Sequence, residues 1–153
     1  MWFNNRSAVR SYGCDNYLIE ESFMCKLFIG ASPDLWEATT RSLRIDGMVT
    51  SVRLESYFWR VLEEIAARDS LTLPEMLSRL YSESIQAGHN LGNFTSFLRV
   101  CAMRYLGLQM SGDIPIQPEI SIASLDADNI LHNEAQRNVL NGWSLLASSG
   151  PIV

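Results

Sequence analysis

The hydrophobic period of this chain changes once, between Arg41 and Arg68, and that change restricts the fold more than any other feature. From Arg41 to Leu54 apolar and polar residues alternate, as they do along a half-buried strand. From Ser56 the apolar positions are Phe58, Val61, Leu62, Ile65 and Ala66, the spacing of one helix face. Asp46-Gly47 interrupts the alternating run, and such a pair between two alternating segments is a strong hairpin signal. A two-residue turn there pairs Ile45 with Met48, Arg44 with Val49, Leu43 with Thr50, Ser42 with Ser51 and Thr40 with Arg53. One face of the ribbon then carries Leu43, Ile45, Met48, Thr50, Val52 and Leu54. The other carries Thr40, Ser42, Arg44, Val49, Ser51 and Arg53, and a one-residue slip would exchange the two faces. A hairpin and one helix cannot bury the apolar face between them.

The flanking segments read less sharply. Residues 1–23 show no period, and Met24-Cys25-Lys26-Leu27-Phe28-Ile29-Gly30 resembles a beginning, so the preceding residues are either an arm or lie before the true start. Lys26 to Ile29 reads as a short strand ended by Gly30, and residues 33–38 as a short helix with Ser32 as cap and Pro33 at its first position. After the 56–68 helix, Thr72-Leu73-Pro74-Glu75 is a capping-box pattern. It opens a second helix whose apolar stripe is Leu73, Leu77, Leu80, Tyr81 and Ile85. Asn93 caps a third, over 93–107, with Phe94, Phe97, Leu98, Cys101, Tyr105 and Leu108 on one face. Pro115 and Pro118 impose an extended connection, and Leu125–Leu140 reads as a helix capped by Asp126 or Asp128.

The residues from Arg41 to Ala66 resemble the ribbon-helix-helix family. The likeness is closest to a bacterial subgroup with R-S-x-x-I-x-G-x-x-T-S-V-x-L-E-x-x-F-W-x-x-L-x-x-I-A, and it continues through Asn90-Leu91, Arg99-Val100 and Tyr105-Leu106. The resemblance implies a mainly α fold with a small antiparallel β-ribbon. Its organisation would be an obligate homodimer in which the 48–54 strands pair across a two-fold axis to cover an apolar face that one subunit cannot, with an added hairpin strand and a third helix. The chain then divides into an N-terminal extension (1–40), a ribbon-helix-helix-like domain (41–109) and a C-terminal extension (110–153).

The family's function is sequence-specific binding of double-stranded DNA, the ribbon lying in the major groove. Carried onto this chain, Val49, Ser51 and Arg53 face the bases, Arg44 lies near the backbone, and Thr72 at the second helix start anchors a phosphate. Arginine bridges two acceptors of guanine and serine serves either base, whereas Val49 is apolar where a polar residue is expected. The extra strand is a second departure. A dimer of hairpins has four strands, about 14 Å across three gaps of ~4.8 Å, against a major groove ~12 Å wide.

Charge narrows the possibilities. Of the net −5, residues 41–109 hold eight arginines against seven acids, while residues 110–153 hold Arg137 against five acids. The middle segment alone does not repel a polyanion, so binding must come from a few placed arginines. The other reading is therefore a dimeric protein-interaction module that keeps the fold with reduced or no DNA binding. The C-terminal extension, rich in Ile and Leu, has three available roles: packing on its own dimer, docking a partner protein as antitoxin tails do, or covering the arginines.

No enzyme is expected. Glu63 and Glu64 are adjacent and diverge on a helix, Cys101 falls on an apolar stripe, and no phosphate-cradling glycine motif or nucleophile elbow occurs. His89 and His132 lie far from Cys14, Cys25 and Cys101, so neither a metal nor a cofactor is expected. The odd, scattered cysteines suit a reducing cytoplasm, and no apolar run reaches the length of a membrane span.

Overall fold

The computed structural model describes residues 23–45 and 47–141. Two compact units divide the chain, Met1–Ser32 and Pro33–Val153. In the first, helix α1 spans Phe23–Ile29. The expected strand over 26–29 is thus corrected: a short apolar run does not distinguish strand from helix, and the sheet recruits no strand from this segment. Gly30 closes α1 by donating its N–H to the Lys26 carbonyl at 3.0 Å. A Cβ there would meet that carbonyl oxygen at 2.7 Å, so the closure requires glycine. The features expected before residue 23, and Trp143, Leu145 and Leu146, fall outside the described residues.

The second unit opens with a single 3-10 turn, Pro33–Leu35, shorter than the expected 33–38 helix. Strands β1 (Ala38–Ile45) and β2 (Met48–Glu55) follow as an antiparallel hairpin. Every pair expected from the two-residue turn is present, and Gly47 takes the positive φ of 79° that such a turn demands. Leu43, Ile45, Val52 and Leu54 are buried, while Thr40, Ser42, Arg44, Val49, Ser51 and Arg53 face solvent. Met48 departs from its face and is 65% exposed, although Ile45 opposite it is buried.

Helix α2 (Ser56–Arg68) starts directly from β2. Its first turn is fastened back to the ribbon: Ser56 N–H donates to the Glu37 carbonyl at 2.9 Å, and Trp59 Nε1 donates to the Thr39 carbonyl at 3.1 Å. Helix α3 (Leu73–Gln86) begins at a complete capping box. It buries Met76, Leu77 and Ser84, while Ile85, expected on its inner stripe, is 48% exposed. Helix α4 (Phe94–Met110) is capped by Asn93 and buries Leu98, Ala102, Tyr105 and Leu108. It is less one-sided than its spacing suggests, since Val100 and Met103 lie half exposed on its outer side.

One core joins the hairpin to α2, α3 and α4. Val52, Leu54, Trp59, Leu62, Leu77 and Leu98 are its most deeply buried large side chains, each contributing about 1.5–3 kcal/mol on burial. The consequence alters one expectation. The apolar ribbon face is covered within a single chain, so its burial does not demand a second copy.

The C-terminal extension packs on this core as far as it is described. A strap of residues 113–126 runs non-helically apart from one 3-10 turn, Ile122–Ser124, with Ile114 buried. Arg68, itself only 5% exposed, holds it from below. Its Nε donates to the Ile120 carbonyl at 2.9 Å, and its Nη1 to the Pro115 carbonyl at 2.9 Å and the Tyr105 hydroxyl at 3.1 Å. Helix α5 (Ala127–Leu140) is capped by Asp126. It buries no residue fully, packs Ile130 against the core, and makes polar contacts: Arg104 with Glu134, Arg137 with Asp113, and Asn133 with Asp113.

Candidate nucleic-acid interface

The solvent face of the hairpin is built by the alternation itself. Across it, Arg44 stands opposite Val49, Ser42 opposite Ser51 and Thr40 opposite Arg53. Arg41 and Arg99 are neutralised nearby, by Glu63 and by a two-pronged contact to Glu55 at 2.9 and 3.0 Å. The Arg99 guanidinium holds the Glu55 carboxyl below its ordinary range, chiefly by hydrogen bonding. Among the described residues the Arg44 and Arg53 side chains have no such partner, so both cations are available to an anion in solution.

The edges of the ribbon differ. A two-residue turn makes Ile45 and Met48 the hydrogen-bonded pair, and bonded pairs then alternate along the ladder. Val49, Ser51 and Arg53 therefore direct their backbone N–H and C=O away from β1, to an edge where no strand pairs among the described residues. The outer edge of β1 is partly covered instead: Ser78 Oγ of α3 donates to the Arg44 carbonyl at 3.0 Å. An open cleft of about 680 Å³ lies between hairpin tip and α3, lined by Arg44, Gly47, Pro74, Ser78 and Arg79 among others.

Thr72 is placed at a helix start that is already served. Glu75 Oε2 accepts from the Thr72 backbone N–H at 2.8 Å and from its hydroxyl at 2.7 Å. These hydrogen bonds lower the Glu75 pKa, keeping a carboxylate over the N-terminus. Pro74 contributes no N–H. The structure thus brings Arg44 beside the start of α3 around one cleft, with Ser51 and Arg53 further along the ribbon.

Residue patterning left two contributors unnoticed. Ser78 and Arg79 lie on the outer flank of α3, and nothing local marks them. Arg68 was detectable: it follows Ile65 by three residues, on the apolar stripe of α2. Among the described residues no group of His, Cys, Asp and Glu is arranged to hold a metal ion. Burial raises the Cys101 pKa, which suits a packed thiol rather than a nucleophile.

A ribbon-helix-helix domain model matches residues 38–106. A solved structure agrees, that of an uncharacterized protein from Bordetella pertussis Tohama I. It is 50% identical, the match covers 71% of this chain and 87% of that one, and the two superpose with a TM-score of 0.69. The chain belongs to the ribbon-helix-helix family. Among curated proteins none matches. The matched range starts at the first residue of β1 and ends inside α4. The hairpin's outer strand and the third helix are therefore part of the ribbon-helix-helix match, while the strap and α5 lie beyond it. Among the described residues no helix is long and apolar enough to cross a membrane.

Proposed function

We propose that this ribbon-helix-helix protein is a sequence-specific DNA-binding regulator acting in the cytoplasm as a homodimer. One observation carries the reading: among the described residues the same strand, β2, offers an open hydrogen-bonding edge and an exposed face bearing an unpaired Arg53. Edge-to-edge pairing of two β2 strands places their Val49, Ser51 and Arg53 side chains side by side on one surface. Arg53 bridges guanine acceptors, Ser51 serves a neighbouring base, and Val49 offers only apolar contact, as to a thymine methyl. Arg44 stands toward the backbone. Thr72 is the weakest member of the set, because Glu75 occupies its helix start.

Selection from a random duplex library at low salt tests the reading. A reproducible enriched site supports it, and absence of any preference refutes it. The second reading, a dimeric interaction module, is favoured by Met48 and Val49 at the hairpin tip, 65% and 71% exposed. Under that reading the partner binds through this apolar tip, and complex formation changes little with salt.

A further inference from the structure

The outer strand has no evident purpose in a two-stranded reader, and the helix start that should hold a phosphate is occupied by a carboxylate. We propose that the task of gripping the DNA backbone has moved to β1. In the dimer, ordered β1–β2–β2–β1, the two outer strands rest on the phosphate walls of the major groove through Arg44, assisted by Thr40 and Ser42. Only the inner strands overlie the bases. This rests on the DNA-binding dimer proposed above.

Dimensions set the arrangement. Inner strands stand ~2.4 Å and outer strands ~7 Å either side of the two-fold axis, from a strand spacing of ~4.8 Å. Groove walls stand ~6 Å either side, since the groove is ~12 Å wide. The outer strands therefore meet the walls, and the sheet rides over the groove instead of sinking into it. What the outer strand carries there is suited to phosphate. Thr40, Ser42 and Arg44 share the exposed face, with two hydroxyl donors, one guanidinium unpaired among the described residues and no acid on that face of β1. The β1 backbone at Arg44 is tied to α3 by Ser78 Oγ on its carbonyl, beside a cleft that Glu75, Glu83 and Arg79 also line. A groove ~8.5 Å deep is then read from above. The long side chain of Arg53 suits that distance better than Ser51, whose hydroxyl stands two bonds from the backbone.

The two arginines thus have separable roles, and salt dependence separates them. Binding is measured by fluorescence anisotropy on the selected site and on a scrambled duplex, across a salt series, for wild type, R44A, R44K and R53A. R44A removes one phosphate contact per subunit, so the log–log salt slope should flatten by about 1.8, at ~0.9 per phosphate. Its loss of affinity should be equal on both duplexes, and R44K should restore the slope. R53A should weaken the selected site alone. An unchanged slope in R44A, or a loss confined to the selected site, overturns the assignment of β1 while leaving the DNA-binding reading intact. If wild type binds neither duplex, both fall together. Arg44 has an exposed side chain, and its main-chain contact to Ser78 survives the substitution.

Discussion

Replacing Arg68 by alanine is the most informative single change, because three acceptors in two segments depend on this one guanidinium. The Pro115 and Ile120 carbonyls and the Tyr105 hydroxyl all receive it, at 2.9 to 3.1 Å. A hydrogen bond from a charged donor contributes about 1.5–3 kcal/mol net. Three such bonds set an upper bound of roughly 4.5–9 kcal/mol, reduced by two effects. Burying the cation costs several kcal/mol of desolvation, and its Nη2 is buried without a partner among the described residues. The freed strap can also lift, returning its carbonyls to water. The expected loss is about 3–5 kcal/mol for Arg68→Ala, within the reduced bound, since each buried acceptor left unsatisfied costs about 1–3 kcal/mol. Arg68→Met should lose less, since it fills the space. Urea unfolding followed by tryptophan fluorescence gives the stability. A glutamate-specific protease cutting after Glu119 reports whether the strap has lifted. If Arg68→Ala stays within about 1 kcal/mol of wild type, the scale of a single neutral hydrogen bond, and Glu119 stays protected, the strap is held by something else.

Four further outcomes are expected. Arg53→Ala should cost about 1–3 kcal/mol on the selected site, the range for a bidentate base contact, and equal binding by the variant would remove Arg53 from base reading. Ser51→Pro deletes an N–H from the open edge of β2 while sparing its ladder with β1; sedimentation should show a folded monomer, and a persisting dimer would place the interface elsewhere. Thr72→Ala should cost about 1 kcal/mol in thermal or urea unfolding, the usual worth of a helix cap, and no loss would mean that Glu75 caps α3 alone. Asp113 and Glu134 have pKa values lowered from 3.8 and 4.5, chiefly by hydrogen bonds from Ser111 and Arg104 respectively. Their contribution to holding α5 is therefore complete above those ordinary values and lost as pH falls through the lower folded ones. Amide NMR signals of α5 should shift below about pH 4, the ordinary carboxylate range, before those of α2, and simultaneous loss would refute a separately held helix.

The hairpin was legible because its alternation, turn pair and face assignment all agreed, and the observed register repeats the expected one pair for pair. Helix starts at Thr72 and Asn93 were equally readable, since a cap is a local hydrogen bond, while for α5 the pattern left Asp126 and Asp128 open and the structure uses Asp126. What failed was governed by tertiary context. Lys26–Ile29 has strand-like residues, but among the described residues no strand pairs with it, and it closes on itself as α1. Ile85 follows the periodicity of α3, yet lies beyond the reach of the packed core. The candidate site was legible to the same extent as the ribbon: alternation identified the exposed residues, but not that Glu75 would occupy the helix start beside Thr72. Nor did any local pattern reveal that α3 and α4 cover the apolar ribbon face within one chain.

That self-contained core has a consequence for the way such a regulator responds to its own abundance. A protein whose chains fold only when paired loses its fold along with its pairing on dilution, so its single chains are unfolded and open to aggregation and proteolysis. Here the described residues of one chain bury the apolar ribbon face on their own, and the proposed function uses the β2 edge for pairing. While single chains predominate, the paired form grows as the square of the protein present. Doubling expression quadruples the species that the proposed function requires, until pairing saturates. Under the proposed function, separating folding from pairing would let single chains accumulate in a folded form until pairing brings on occupancy of DNA.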